Sequence, residues 1–127
     1  MKKVLVDTDI LIDFFRSGRG SFPALIGLQK QRQIELYLSS ITVMELFAGK
    51  SSAETAVTLE KFIDSFKVVT FDKVLARFSG ELRRERKLAI QTSDFIIGAT
   101  SIWLKVQLAT RNKKHFQGIP GLKFFNA

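Results

Sequence analysis

The apolar residues of this chain arrive as short strand-like runs separated by stretches of helical periodicity, and that alternation constrains the fold more than any other feature. Lys3 to Val6 is β-branched and apolar and stops at Asp7, as a strand covered on both faces does. Ile10 to Phe15 is too apolar for a loop and reads as a short helix ending near Ser17 and Gly18. Ser21-Phe22-Pro23 reads as a cap with proline in the first turn, opening a helix to about Gln31. Ile34 to Leu38, with Glu35 facing outward, is a second strand, and a helix follows from Thr42 to Gly49. Ala56, Leu59, Phe62, Ile63 and Phe66 recur three and four apart, which predicts one helical face over residues 51 to 66. Lys67 to Phe71 is a third strand, and Asp72 caps a helix with Val74, Leu75, Phe78 and Leu82 inward. Ser93 caps a last helix carrying Phe95, Ile96, Ala99, Ile102, Trp103 and Val106, before strands at Gln107 to Thr110 and Leu122 to Phe125. Short apolar strands alternating with helices predict an α/β fold whose parallel sheet is covered on both faces. In such sheets ligands bind beyond the carboxyl ends of the strands.

At 127 residues the chain is expected to form one domain, residues 1–127, with a core large enough to need no staples. The absence of cysteine excludes a disulfide framework, a thiolate zinc site and a cysteine nucleophile. A single histidine, His115, excludes a polyhistidine metal site, and is expected to be a surface or packing residue. No run reaches the roughly 18 to 20 apolar residues of a membrane span, so the expectation is a soluble, cytoplasmic protein. The net charge of +8 is unevenly placed. Residues 1–64 carry eight basic and eight acidic residues, whereas residues 65–127 carry twelve and four, as expected if one face meets a polyanion such as nucleic acid. Arg83, Arg84, Arg86 and Lys87 concentrate that charge near a helix end, where they are either substrate contacts or a solvated face paired with Glu81 and Glu85.

Three acids can reach the carboxyl edge of the sheet: Asp7 after the first strand, Glu45 in the helix after the second, and Asp94 at the start of the helix before the fourth. Converging carboxylates repel, so such a cluster calls for a proton or a hard cation, and oxygen ligands alone favour Mg2+ or Mn2+. Other readings exist for two of them. Thr42-Val43-Met44-Glu45 fits a capping box in which Glu45 only bonds the Thr42 N–H, and Asp94 after Ser93 fits a first-turn acid that complements the helix dipole. Asp7, flanked by apolar residues, is expected to be buried and functional. Asp9 and Asp13 are expected to be solvated or capping, and Thr110-Arg111-Asn112 to bring a hydroxyl and an amide to the same edge or simply to turn the chain.

Four segments, Val6-Asp7-Thr8-Asp9-Ile10-Leu11-Ile12-Asp13, Ser40-Ile41-Thr42-Val43-Met44-Glu45-Leu46-Phe47-Ala48-Gly49, Ser93-Asp94-Phe95-Ile96-Ile97-Gly98-Ala99 and Ala109-Thr110-Arg111-Asn112-Lys113-Lys114-His115-Phe116, occur in the order typical of PIN domains. The chain resembles the VapC-type toxins of toxin–antitoxin pairs over essentially its whole length. The resemblance implies a three-layer α/β/α sandwich with a mainly parallel central sheet and a Mg2+- or Mn2+-dependent endoribonuclease. Activated water would hydrolyse RNA phosphodiesters to 5′-phosphate and 3′-hydroxyl ends. It also implies metal ligands at Asp7, Glu45 and Asp94, a catalytic role for Asn112, a small cognate antitoxin and a homodimer. Thr8, Thr110, Arg111, Arg83, Arg86 and Lys87 are candidate substrate contacts. The family often has a fourth acid where this chain has Asn112. The alternatives are a nucleic-acid or partner-binding module with a vestigial site, and a phosphatase resembling the haloacid dehalogenases, suggested by Asp7-Thr8-Asp9 but needing a cap region that 127 residues scarcely accommodate.

Overall fold

The computed structural model describes residues 1–49, 52–86 and 88–126. Strands β1 (Lys2–Val6), β2 (Ile34–Ser39), β3 (Lys67–Val69) and β4 (Gln107–Ala109) form a sheet in the order β3-β2-β1-β4. Every pairing is parallel, with Leu5 opposite Tyr37, Ser39 opposite Val69 and Val6 opposite Ala109. The helices are α1 (Thr8–Ser17), α2 (Phe22–Lys30), α3 (Ser40–Phe47), α4 (Ser52–Ile63), α5 (Lys73–Glu85) and α6 (Thr92–Leu104), followed by a 3-10 helix at Lys113–Phe116.

The period-2 alternation of β1 divides the core. Val4 and Val6 join Leu36 and Leu38 of β2 on one face, packed by Ile10 and Leu11 of α1, Phe22 and Leu25 of α2 and Leu59 of α4. Leu5 and Leu108 face the other way, onto Phe95, Ile97 and Ala99 of α6 and onto Phe116 and Ile119. The expected three-layer α/β/α sandwich therefore forms because central strands that are apolar on both faces require helices on both. On the first face Phe14, Phe22, Phe62 and Phe66 interlock, with Phe14 and Phe22 ring centroids 5.0 Å apart, fastening α1, α2 and α4 to one another.

Several element ends differ from expectation, each for a local reason. Helix α3 starts at Ser40, two residues early, because the Ser39 hydroxyl accepts from the Ile41 N–H at 3.1 Å and so caps it. The third strand stops at Val69, and the Phe71 N–H turns to the Ser40 hydroxyl at 2.9 Å. Helix α6 begins at Thr92 behind Gln91, so Ser93 lies inside the helix and is not its cap. The strand expected at Leu122 to Phe125 reduces to one parallel bridge between Leu108 and Phe124, since β4 offers only three residues to pair with. Asp72 caps α5 as expected, accepting from the Leu75 N–H at 2.9 Å, and Gly18 ends α1 in the left-handed conformation at φ 68°.

The chain runs outward from β1 through β2 to β3 and then crosses back to place β4 on the other side of β1. The crevice at the carboxyl ends of β1 and β4 is the point where the winding reverses, which is where ligands bind in open α/β sheets. Asp7 and Thr110 are the residues immediately after those two strands. No helix among the described residues is long and apolar enough to cross a membrane.

Candidate active site

Asp7 sits at the crevice as the N-cap of α1, yet its carboxylate makes no capping bond to that helix. Its backbone N–H continues the sheet by donating to the Ala109 carbonyl at 2.9 Å, which locks the residue against the end of β4. The side chain is thereby turned into the crevice edge, where Thr110 Oγ1 donates to Asp7 Oδ2 at 2.8 Å. Asp7 is 2% exposed, and no lysine, arginine or histidine pairs with it among the described residues. Burial pushes its carboxyl from 3.8 up to about 7, against the stabilising Thr110 hydrogen bond, with the charges of Asp9 and Asp94 adding to the rise.

Glu45 projects from α3 toward the same edge. Because Ser39 is the cap, Thr42 lies in the first turn and no capping box forms. Glu45 Oε1 instead accepts from Thr8 Oγ1 at 2.7 Å, and Thr8 Oγ1 is 2.8 Å from Thr42 Oγ1. A threonine hydroxyl has one proton, so with Thr8 donating to Glu45 the proton between the threonines belongs to Thr42. Both threonines are buried, which makes Thr42, Thr8 and Glu45 a fixed relay tying α3 to the start of α1.

Asp94 occupies the first turn of α6 with its side chain 22% exposed, and His115 Nδ1 stands 3.8 Å from its Oδ2. Its pKa is raised, chiefly by burial, with His115 opposing the shift and Asp9 adding to it. His115, expected to be a surface or packing residue, is exposed but faces this acid.

Asp9 departs from expectation. It is half-buried, and its Oδ2 accepts from Asn112 Nδ2 at 2.5 Å, so it is neither freely solvated nor a cap. The available signal was the Asp7-Thr8-Asp9 spacing, which puts both acids in one helical turn beside the strand end. Asp13, expected to be solvated or capping, instead pairs through Oδ1 with Arg111 Nη1 at 3.2 Å, linking α1 to the segment after β4. Thr110, Arg111 and Asn112 thus all reach the β1–α1 segment, and the Asn112 N–H also donates to Thr110 Oγ1 at 3.0 Å.

The basic cluster of α5 divides. Arg83 folds back on its own protein, donating to the Ile90 carbonyl at 2.6 Å with its guanidinium 4.8 Å from the Phe95 ring centroid. Arg86 is exposed just past the end of α5, and Lys87 lies outside the described residues. No contact among the described residues joins Arg83 or Arg86 to the carboxylates. A separate basic edge, Arg111, Lys113, Lys114 and His115, borders a shallow recess of about 390 Å³ with Thr110 and Asn112.

The donors at the crevice are all carboxylate, hydroxyl or amide oxygens, with one imidazole at the rim, and this chemistry fits a hard divalent cation such as Mg2+ or Mn2+. Burial, which pushes the Asp7 carboxyl up to about 7, makes its charged form costly in the protein alone. Among the described residues no group of three or more acidic or histidine side chains is arranged to hold an ion, and Asp7, Asp9 and Glu45 are each held by a hydrogen bond to Thr110, Asn112 or Thr8.

A family model for the PIN domain matches residues 4–122. Ribonuclease VapC1 of Methanocaldococcus jannaschii is 33% identical over 132 residues, covering 98% of this chain and 88% of that protein. Among solved structures, VapBC2 from Rickettsia felis bound to a promoter DNA fragment superposes with a TM-score of 0.81 at 26% identity, covering 98% of both chains. A toxin–antitoxin complex from Klebsiella pneumoniae gives 0.72 at 34% identity, covering 94% of both. With the strand order, the crevice acids and these likenesses in agreement, the chain belongs to the PIN domain family.

Proposed function

We propose that the chain, acting as a single domain, is the endoribonuclease toxin of a toxin–antitoxin pair, dependent on Mg2+ or Mn2+. The observation that carries this reading is Asp7: a nearly inaccessible carboxyl pushed up to about 7, beside other acids, at the reversal point of a parallel sheet. A lone structural aspartate in that position would be paired with a cation of the protein or replaced by a neutral side chain. The VapC names of its relatives and the toxin–antitoxin complexes among its structural neighbours support the same reading.

Asp7, Glu45 and Asp94 would hold the ion. When bound there, a divalent cation cancels carboxylate charge, polarises the phosphodiester and lowers the pKa of water for in-line attack. The chain's own residues arrange the rest. Thr110 fixes one oxygen of Asp7, and the Thr42–Thr8 relay holds Glu45 by a single oxygen. Arg111, half exposed and braced by Asp13, stands at the rim where an RNA phosphate arrives, so the chain meets its polyanion with a cation outside and acids within. Strand cleavage by water then leaves 5′-phosphate and 3′-hydroxyl ends. With only one histidine in the chain, a two-imidazole 2′-hydroxyl route is unavailable.

The protein is further proposed to act in the cytoplasm as a homodimer, neutralised by a small antitoxin that presents an Arg or Lys to the acidic crevice. The test is induction of the chain without its antitoxin, with sequencing of the RNA ends produced. The expected result is growth arrest with 5′-phosphate ends, lost in the Asp7→Asn and Asp94→Asn variants and abolished by EDTA in the purified reaction. Full cleavage in excess EDTA, or normal growth at good soluble yield, would overturn the proposal and favour a binding module.

A further inference from the structure

The outer face of α5 and α6 carries apolar surface that the fold leaves uncovered. Val74, Phe78 and Leu82 follow one another four residues apart along α5, and Trp103 of α6 lies against Phe78 with ring centroids 5.1 Å apart. Phe78 and Leu82 are half-buried, but Val74 is 58% and Trp103 44% exposed, and the four line a recess of about 340 Å³. Single exposed apolar residues are ordinary, whereas a contiguous row beside an exposed tryptophan marks a protein contact. The face is separate from the acidic crevice, since Trp103 lies nine residues beyond Asp94 on α6, roughly 13 Å along the helix.

A second row with the same spacing flanks the apolar one: Lys73, Arg77, Glu81 and Glu85, two cations followed by two anions. The helix dipole favours the reverse order, yet the first turn of α5 holds Lys73 and no acid, and Glu85 is the last helical residue. Within the chain Arg77 Nε donates to Glu81 Oε1 at 2.8 Å, an exposed pair that contributes little by itself. Among the described residues no ion pair takes up Lys73 or Glu85. The order of charges is its own complement when read backwards. In an antiparallel pair of helices related by a two-fold axis, each flank meets the same flank of the copy. Lys73 then stands opposite Glu85 of the copy and Arg77 opposite its Glu81, while the apolar rows meet with Phe78 near the axis. Rows of residues four apart are also the ridges that interdigitate in the commonest helix packing. A polyanion would meet repulsion from Glu81 and Glu85 along half of this row, so RNA does not fit it.

We propose that this face is where a second copy of the chain docks, the two α5 helices packing antiparallel with the Val74-Phe78-Leu82 rows and Trp103 between them and the charged rows paired alongside. The inference goes beyond the homodimer stated above by assigning its face, and it stands apart from the reading of the acidic crevice.

The test is sedimentation equilibrium of the purified full chain in EDTA, with the emission of Trp103, the one tryptophan of the chain, followed on dilution. The expected result is a dimer whose tryptophan emission moves to the red across the concentration range in which it dissociates. Two double variants then isolate the charge pattern: Lys73→Glu with Arg77→Glu makes the row wholly acidic, and Glu81→Arg with Glu85→Lys makes it wholly basic. Each alone is expected to self-associate about a hundredfold or more weakly, with its fold confirmed by circular dichroism, and an equimolar mixture is expected to regain affinity within about tenfold of the original chain. Neither variant can form an ion pair inside its own row, so association of the mixture reads contacts between copies alone. A monomeric chain would overturn the inference and the homodimer together. A dimer whose Trp103 emission stays constant through dissociation, variants that self-associate as tightly as the original, or a mixture as weak as its components would overturn the assigned face and leave the homodimer standing. The emission measurement needs no variant, and none of these outcomes touches the ribonuclease proposal, which RNA cleavage tests.

Discussion

Replacing Asp7 with asparagine tests whether the charge at the end of β1 is uncompensated in the protein alone. The residue is 2% exposed and its Oδ2 accepts from Thr110 at 2.8 Å, so an amide of the same shape retains an acceptor and the packing while losing the charge. The carboxyl lies at about 7 in the fold against 3.8 outside it. Between those values the folded chain binds more protons than the unfolded chain, so stability falls as pH rises through the window and levels off above about 7. At about 1.4 kcal/mol per pH unit, the interval from about pH 5 to the folded pKa removes about 2 to 3 kcal/mol that the asparagine variant does not lose. For a chain of this size that corresponds to roughly 10 °C in melting temperature. The assay is urea unfolding of both proteins in EDTA at about pH 5 and about pH 8, followed by circular dichroism. Groups that do not interact with Asp7 cancel in the comparison, so the variant's advantage should grow by about that amount between the two pH values. Added Mn2+ at the higher pH should shrink the advantage, because the ion binds the folded carboxylate and not its amide replacement. An identical stability difference at both pH values would refute the argument that burial leaves this charge uncompensated by the protein.

Thr8→Val should lower RNA cleavage by about tenfold or more, since Glu45 loses the hydroxyl that positions it, and should cost about 1 to 2 kcal/mol because the buried Thr42 hydroxyl loses its acceptor. Single-turnover cleavage and urea melts separate the two effects. Gly20→Ala should destabilise by about 1 to 3 kcal/mol, because φ is +92° there and an added Cβ would collide with Asp13 Oδ2, on the carboxylate that braces Arg111. Thermal melting reads this directly. Arg111→Glu in an Asp94→Asn background should weaken binding to single-stranded RNA and reduce the salt slope of the affinity by about 0.7 for each phosphate no longer engaged. Fluorescence anisotropy over a salt series checks it, and Arg86→Glu in the same series tests the exposed end of α5. Arg83→Gln should leave the slope unchanged and lower stability, since that guanidinium is committed to the Ile90 carbonyl and the Phe95 ring.

The alternation of apolar strands with amphipathic helices specifies the sandwich by itself. Val4, Leu5 and Val6 have no polar face to offer water, so a sheet containing them must be covered on both sides whatever the rest of the chain does. Asp7 is legible for the same reason: a carboxylate that ends such a strand and precedes more apolar residues is carried into the interior. Helix α5 is equally local, since Asp72 caps it with its own side chain.

Element ends and partners are decided at longer range. Whether Glu45 closes a capping box or enters the crevice depends on Ser39 taking the cap and on Thr8, 37 positions earlier, offering its hydroxyl. Arg83 and Arg111 are indistinguishable as basic residues in the sequence, yet one is folded onto Ile90 and Phe95 and the other is braced at the rim by Asp13. Asp9 is the clearest case. Its spacing places it on the first turn of α1, but only the return of β4 beside β1 brings Asn112 within hydrogen-bonding distance. Periodicity encodes which face of an element is buried, because each residue's own transfer free energy sets that. Pairings such as Asp9 with Asn112 join residues that share no local pattern, and they exist only once the crossover has placed the two strand ends side by side.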